Sequence, residues 1–177
     1  RGDAAWAQWA RTLFLVAMAI FVVTIVIGIP NALDVVDPDH NLLLTHVHSG
    51  TIGWLTLVVV AVAFVAFRAA DGRLALALAV TVPVYVAAFY TGNFPLRAAT
   101  GVVLLGVIAW LVAWTWRTFM AGERSLPGLG LALAITTFAY GAVVGVLLQV
   151  GFAAGSAIVP GDGIGAHAGA MTFGYLV

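Results

Sequence analysis

Long uninterrupted runs of apolar residues alternate with short polar stretches along the 177-residue chain. A helix needs roughly 20 apolar residues to cross the hydrocarbon core of a bilayer. The pattern predicts five such runs and the start of a sixth, at Thr12–Ile29, Leu42–Phe67, Leu74–Tyr90, Ala98–Phe119, Leu129–Phe152 and Ile164–Val177. Membrane β-barrel strands are short and alternate in polarity, whereas these runs are long and continuous. We therefore predict an all-α, polytopic transmembrane helix bundle with at least six spans.

The composition agrees with a chain that is embedded in lipid. Hydrophobic residues make up 63% of it, charged residues 8%, and the mean hydropathy is +1.12. This is too little polar material to cover a water-soluble globule, so the expected partner is the lipid bilayer and not a nucleic acid. The absence of cysteine excludes thiolate ligands, iron–sulfur clusters and covalently attached haem within these residues.

Both ends of the sequence are unusual. The chain opens on Arg1. A helix formed by the sixth run would be about 21 Å long, which is too short to cross a bilayer. We expect residues 1–177 to form a single transmembrane domain that is a fragment of a longer chain.

Basic residues are distributed unevenly between the two ends of the runs. Six of the seven arginines lie on one side, namely Arg1, Arg11, Arg68, Arg73, Arg117 and Arg124. The positive-inside rule therefore places the N-terminus in the cytoplasm, and we expect a prokaryotic cytoplasmic (inner) membrane. Arg97 alone lies at the outer side, where it either snorkels to the interface or pairs with an anion.

A short motif occurs twice. His46 precedes Gly53-Trp54-Leu55 by seven residues, and His167 precedes Gly174-Tyr175-Leu176 by the same number. This His-x6-Gly-aromatic-Leu motif predicts an internal repeat, with halves at roughly 9–67 and 127–177. Both runs enter the bilayer from the outer side, so the two histidines are expected at similar depth.

The helical period separates the neighbouring histidines. Gly50 and Gly53 share a face with His46, where they would let a flat macrocycle or a helix approach closely. His48 points about 200° away from His46, so the pair cannot chelate one metal on a regular helix. Two separate roles are expected.

Several roles for these histidines fit their positions. Interfacial histidines can simply hydrogen-bond to headgroups or to neighbouring helices, but ionisable groups inside spans more often serve function. Zinc needs three or four protein ligands, and calcium and magnesium need oxygen ligands. Haem needs only two axial ligands and a large apolar cavity. We therefore predict haem b near the outer face, bound by His46 and His167, with Trp54 at the ring and Arg97 at the propionates. No copper site is expected.

The stretch THVHSGTIGW, from Thr45 to Trp54, resembles the tenth helix of the catalytic subunit (subunit I) of haem–copper oxidases, most closely the C-family. The resemblance implies that His46 is the ligand of a high-spin haem and that His48 is a possible second ligand, to a low-spin haem. The stretch is also similar to haem-binding membrane proteins of the nitric-oxide response. A complete oxidase of this family needs six histidines, and this chain has four. A reduced or fragmentary relative is expected, and neither a complete oxidase nor a nitric oxide reductase.

The leading functional prediction is a membrane-embedded b-type haem protein for electron transfer or for binding a diatomic gas, O₂ or NO, with other respiratory-chain subunits as candidate partners. Whether it is an enzyme stays open. One alternative is a transporter or channel subunit that uses the histidines for proton or substrate handling. Another is a haem-free accessory subunit of a respiratory complex.

Overall fold

The computed structural model describes residues 3–35, 37–159 and 161–175. Its elements in chain order are α1 (Asp3–Ala32), α2 (His40–His48), π1 (Ser49–Leu55), α3 (Thr56–Phe67), α4 (Gly72–Tyr90), α5 (Phe94–Ala121), α6 (Leu126–Ala154), α7 (Gly163–Gly169) and π2 (Ala170–Tyr175). The predicted all-α class is thus confirmed for the described residues. The chain divides between Asn93 and Phe94 into two compact units, a first unit of α1 to α4 and a second unit of α5 to π2.

Five helices in the described part of the chain are long and apolar enough to cross a membrane. They are Ala5–Ala32, His40–Phe67, Gly72–Tyr90, Phe94–Ala121 and Leu126–Ala154. The first five predicted runs are therefore confirmed as candidate spans. The helices extend beyond the runs, by nine residues at the start of α1, because hydropathy marks only the lipid-facing part of a helix. α7 begins one residue before the sixth run, which continues through π2, and the last two residues of the run, Leu176 and Val177, lie outside the described residues.

In the first unit, α1 packs along π1 and α3 and also contacts α2 and α4. Leu13 and Ala17 of α1 and Leu57, Val60 and Phe64 of α3 are completely buried. Because lipid tails are as apolar as these side chains, close van der Waals packing supplies the attraction between the helices. This interface positions the start of π1 against the middle of α1.

In the second unit, α6 packs against α5 on one side and against α7 and π2 on another. Ala132, Ile135 and Phe138 of α6 and Leu111 of α5 are at most 1% exposed. α6 is therefore the element against which His167 is positioned, as α1 is for His46.

Each histidine-bearing helix begins at an aspartate. The Asp39 carboxylate accepts from the backbone N–H of Leu42 at 2.8 Å, and the Asp162 carboxylate accepts from the N–H of Gly165 at 2.7 Å. A carboxylate at this position satisfies a backbone donor that has no partner within the helix. The two caps set the point at which α2 and α7 begin, and hence where the histidines lie along them.

A short π-helix follows each motif histidine. π1 begins at Ser49, three residues after His46, and π2 begins at Ala170, three residues after His167. Such segments are rare in proteins and occur frequently at functional sites. The regular α-helical phase assumed from sequence therefore ends just after the histidines.

Candidate functional site

His46 lies against α1 in a close-fitting position. Its Nδ1 is 3.0 Å from the carbonyl oxygen of Thr24. One turn further along α1, a Cβ at position 28 would lie 2.5 Å from His46 Cε1 and 3.1 Å from Nδ1. Only glycine leaves room for the ring there. We call Thr24 and Gly28 the first imidazole seat.

His167 occupies the same kind of position on α6. Its Nδ1 is 2.8 Å from the carbonyl oxygen of Gly141. One turn further along α6, a Cβ at position 145 would lie 2.7 Å from His167 Cε1 and 2.9 Å from Nδ1. We call Gly141 and Gly145 the second imidazole seat.

The other motif residues in the first unit also contact α1. A Cβ at Gly53 would lie 2.6 Å from Cγ2 of Ile20, so π1 and α1 approach closely at this point. The next residue, Trp54, makes an edge-to-face ring contact with Phe21 at 4.9 Å between centroids. A Cβ at Gly50 would make an ordinary contact with Thr24, at 3.8 Å from its Cγ2. The face expected from the helical period is the face that packs on α1.

The same contacts recur in the second unit. A Cβ at Gly174 would collide with the side chain of Thr137. Tyr175 packs against Phe138 at 4.7 Å between ring centroids. The contacted positions of α6 have the same spacing as those of α1. Let n be residue 20 of α1 or residue 137 of α6. The motif glycine then contacts residue n, the aromatic ring contacts residue n+1, and the histidine contacts residues n+4 and n+8.

The hydrogen bonds determine which ring nitrogen carries the proton. A carbonyl oxygen can only accept, so Nδ1 of His46 and of His167 must donate to it. In the neutral ring, Nε2 then carries the lone pair. Histidines that bind metals commonly have this arrangement, in which a backbone carbonyl holds the second ring nitrogen and orients the first. In both seats Nε2 is therefore the ring nitrogen whose electron pair could bind a metal.

His48 has different surroundings. It is 8% exposed, and its Nδ1 donates to the carbonyl oxygen of Leu44 on its own helix at 2.8 Å. The ring stacks on Phe89 of α4, at 3.7 Å between centroids and 17° between planes, and Tyr85 contacts it edge-on at 6.3 Å. His46 and His48 therefore face α1 and α4 respectively, as the 200° separation predicts. The predicted ligand role of His48 stays a prediction.

Arg97 is completely buried in the first turn of α5. Its guanidinium carbon lies 5.3 Å from the centre of the Phe94 ring, at the distance of a cation–π contact. This burial disfavours the alternative in which Arg97 snorkels to the interface. Its predicted pairing with an anion stays a prediction.

No three histidine, aspartate or glutamate side chains come together as a metal site among residues 3–35, 37–159 and 161–175. A zinc or calcium site built entirely from protein ligands needs such a group. His40, the fourth histidine, is the exposed first residue of α2. Each seat thus holds a single imidazole that could serve as one ligand of a metal or cofactor.

Sequence reasoning missed the residues that build the seats, because they lie on other helices. A pattern that would have found them is present: Phe21 precedes Gly28 by seven residues, and Phe138 precedes Gly145 by seven. This Phe-x6-Gly pattern recurs 117 residues apart, whereas the histidine motif recurs 121 residues apart. One alignment offset therefore cannot match both helices of the repeat.

Comparison of the chain with protein-family models, with curated proteins and with solved structures finds no match. The functional argument therefore depends on the geometry of the seats.

Proposed function

We propose that this chain is a membrane-embedded b-type haem protein with His46 and His167 as axial ligands, for electron transfer or for binding a diatomic gas such as O₂ or NO. The observation that carries the proposal is the shared seat: each histidine donates from Nδ1 to a carbonyl and lies over a glycine. Nε2 would then be the ligand nitrogen. A histidine that only packs between helices does not require this arrangement, and here both motif histidines have it.

Two imidazoles without a third protein ligand suit haem better than they suit zinc, calcium or magnesium. Two neutral imidazoles suit haem iron, and the helices supply the apolar surface that a porphyrin ring needs. Bound haem would supply a one-electron redox couple and a site for a diatomic ligand. Among the described residues, the seats orient the imidazoles. We propose that Trp54, whose ring packs against Phe21 of α1, lines the haem.

We propose His48 as a residue outside this haem's ligand set. Its ring is stacked on Phe89 and its Nδ1–H is bonded within its own helix, whereas the seat histidines donate to a neighbouring helix. Arg97 is our candidate for pairing with the haem propionates, because a buried guanidinium forms strong bonds to carboxylates.

The internal duplication and the topology belong to the same proposal. The repeated contacts at n, n+1, n+4 and n+8 support an internal repeat. Its unit is one long helix followed by the helix that carries the histidine motif. We propose six spans, the sixth starting at α7, with the N-terminus in the cytoplasm of a prokaryotic cell and the haem toward the outer face of the inner membrane. The chain would be a reduced or fragmentary relative of haem–copper oxidase subunit I, with other respiratory subunits as candidate partners.

The test is the absorption spectrum of the protein purified in nanodiscs after expression with a haem precursor and incubation with hemin. We expect a Soret band and a split α band of six-coordinate haem b in the reduced protein. His46→Ala and His167→Ala each should abolish the six-coordinate spectrum, whereas His40→Ala and His48→Ala should leave it unchanged. Folded protein without haem, or a spectrum that ignores both seat variants, would overturn the proposal.

A further inference from the structure

The turn between α3 and α4 in the first unit carries two arginines that have no part in the haem proposal. Arg68 follows the last residue of α3, Arg73 is the second residue of α4, and both side chains are exposed. Within residues 3–35, 37–159 and 161–175, neither guanidinium forms a hydrogen bond or an ion pair. We call Arg68 and Arg73 the arginine pair. Two positive charges are therefore presented at one end of the first unit.

Arg68 occupies a backbone conformation that favours glycine. Its φ is 48° and its ψ is 36°, which is the left-handed region. Glycine is the usual residue where a helix ends in this way, because any side chain raises the free energy of this conformation. A residue held in such a conformation is a reason to look for a function of its side chain.

The acidic residue in the same turn does not neutralise the arginine pair. Asp71 Oδ1 accepts from the backbone N–H groups of Arg73 at 3.0 Å and Leu74 at 3.2 Å. The carboxylate therefore caps the start of α4 and leaves the guanidinium groups unpaired within the described residues.

The first helix adds a hydrogen-bond donor at this turn. A Cβ at Gly72 would lie 2.7 Å from both Nε1 and Cε2 of Trp9, so only glycine lets this indole lie against the start of α4. Trp9 is partly exposed, and its N–H has no acceptor in the described part of the chain. An indole N–H therefore lies beside the residue that precedes Arg73.

Toward the middle of the two helices, the surface next to the arginine pair is apolar. Arg73, Leu76 and Val80 share a face of α4, and Leu76 and Val80 are more than half exposed. On α3, Val62 and Val65 are at least half exposed. Because both helices belong to candidate spans, the turn that joins them lies at a membrane surface. The arginines are then level with lipid headgroups, and the exposed valines and leucine are level with acyl chains.

We propose that this turn binds one anionic phospholipid. Arg68, Arg73 and the Trp9 N–H bind the phosphate, and the acyl chains lie on the apolar faces of α3 and α4. Guanidinium and indole N–H groups can only donate, which suits phosphate oxygens. A free phosphate ion would leave the apolar faces unused, and a zwitterionic lipid would bring an ammonium group toward two positive charges. The site is independent of haem.

Native mass spectrometry of the full chain in detergent micelles, titrated with phosphatidylglycerol or phosphatidylcholine, measures binding of the first lipid. We expect phosphatidylglycerol to bind at least about tenfold more tightly than phosphatidylcholine. Arg68→Gln combined with Arg73→Gln should weaken phosphatidylglycerol binding by at least about tenfold, the size expected for lost hydrogen bonds to an ionised group. Binding of phosphatidylcholine should be unchanged, and inorganic phosphate should not displace phosphatidylglycerol.

The matched control removes the same charge from the turn between α5 and α6. In that turn Glu123 precedes Arg124, and the Arg117 Nε donates to the Ala113 carbonyl at 3.0 Å. Arg117→Gln combined with Arg124→Gln should therefore bind phosphatidylglycerol like the wild type. Equal losses in the two double variants would show that the surface potential alone attracts the lipid, and would overturn the proposal.

Two further variants separate lipid binding from folding. Arg68→Gly suits the left-handed backbone, so it should keep or raise the midpoint of thermal unfolding in lipid-free detergent while lowering phosphatidylglycerol affinity severalfold. Trp9→Phe keeps an aromatic ring against Gly72 without the N–H and should also lower this affinity severalfold. Displacement of the lipid by inorganic phosphate, equal affinity for the two lipids, or wild-type affinity in Arg68→Gly would each overturn the proposal.

Discussion

At the scale of single residues, the missing Cβ of two glycines decides where the imidazoles lie. Gly28 and Gly145 each allow a histidine ring to approach the backbone of the preceding helix. The same approach brings Nδ1 within hydrogen-bond distance of a carbonyl one turn earlier. Glycine and carbonyl therefore act together: one makes room for the ring and the other orients it.

We expect Gly28→Ala and Gly145→Ala to displace the histidine rings and weaken haem binding at least tenfold. Overpacking of this kind also destabilises a protein by about 1–3 kcal/mol. Haem titration of the apoprotein and thermal unfolding measure the two effects. Gly130→Ala is the control, because a Cβ there has nothing within 4 Å. Unchanged affinity in both seat variants would show that the seats do not orient the ligands.

The buried charge of Arg97 is open to a separate test. Arg97→Gln should weaken haem binding by about tenfold to a hundredfold, the size expected for one hydrogen bond to an ionised group. Arg97→Lys should retain part of the affinity. Arg117→Gln is the control, because Arg117 is exposed and its Nε donates to the Ala113 carbonyl of its own helix. If Arg97→Gln folds and binds haem like the wild type, the proposed pairing of Arg97 with the haem propionates is wrong.

At the scale of helices, each π segment packs a glycine and an aromatic residue on the helix before it. Gly53 and Trp54 contact Ile20 and Phe21 on α1. The phase of a π-helix differs from that of an α-helix, so the segment sets which side chains after the histidine face the partner helix. Each seat is therefore formed by two helices, the one that carries the histidine motif and the one against which it packs.

Close packing at Gly53 predicts a stability effect that is independent of haem. Gly53→Ala should lower the free energy of unfolding by about 1–3 kcal/mol, because its Cβ would lie 2.6 Å from Cγ2 of the buried Ile20. Gly106→Ala should raise it by about 0.5–1 kcal/mol, since a Cβ there contacts nothing within 4 Å and alanine favours a helix. Thermal unfolding of the two apoproteins gives the comparison. Equal midpoints would contradict the close contact between π1 and α1.

At the scale of the whole molecule, two compact units each contain one imidazole seat. The first has α1 before the motif helix, and the second has α6 before it. The connection from the seat glycine to the histidine is four residues longer in the second unit. Helix packing keeps the contacts in register although the connections differ in length.

The topology predicts which loops react with an impermeant thiol reagent. The chain has no cysteine, so single substitutions give unambiguous labelling. Asp37→Cys should be labelled in intact bacterial cells and Glu123→Cys only after permeabilisation, because the N-terminus is predicted to be cytoplasmic; both positions are exposed. The reverse pattern of labelling would contradict the proposed orientation and, with it, the proposed outer position of the haem site.

Hydropathy in the sequence was sufficient for the five candidate spans, and the recurring motif was sufficient to mark His46 and His167 as equivalent positions. Both depend on local properties: the length of an apolar run, and a motif that recurs in the same order. His46, Gly50 and Gly53 also share the face that the helical period predicts, although Gly50 and Gly53 lie in π1 and not in a regular α-helix.

Only the tertiary structure decided what those faces meet. The carbonyl that accepts from His46 lies 22 residues earlier in the chain, and the one that accepts from His167 lies 26 residues earlier. The stacking of His48 on Phe89 and the complete burial of Arg97 likewise depend on how helices pack. Such contacts join residues that are distant in sequence, and their register is set by side-chain packing and by the π segments, which the apolar pattern of a single helix does not encode.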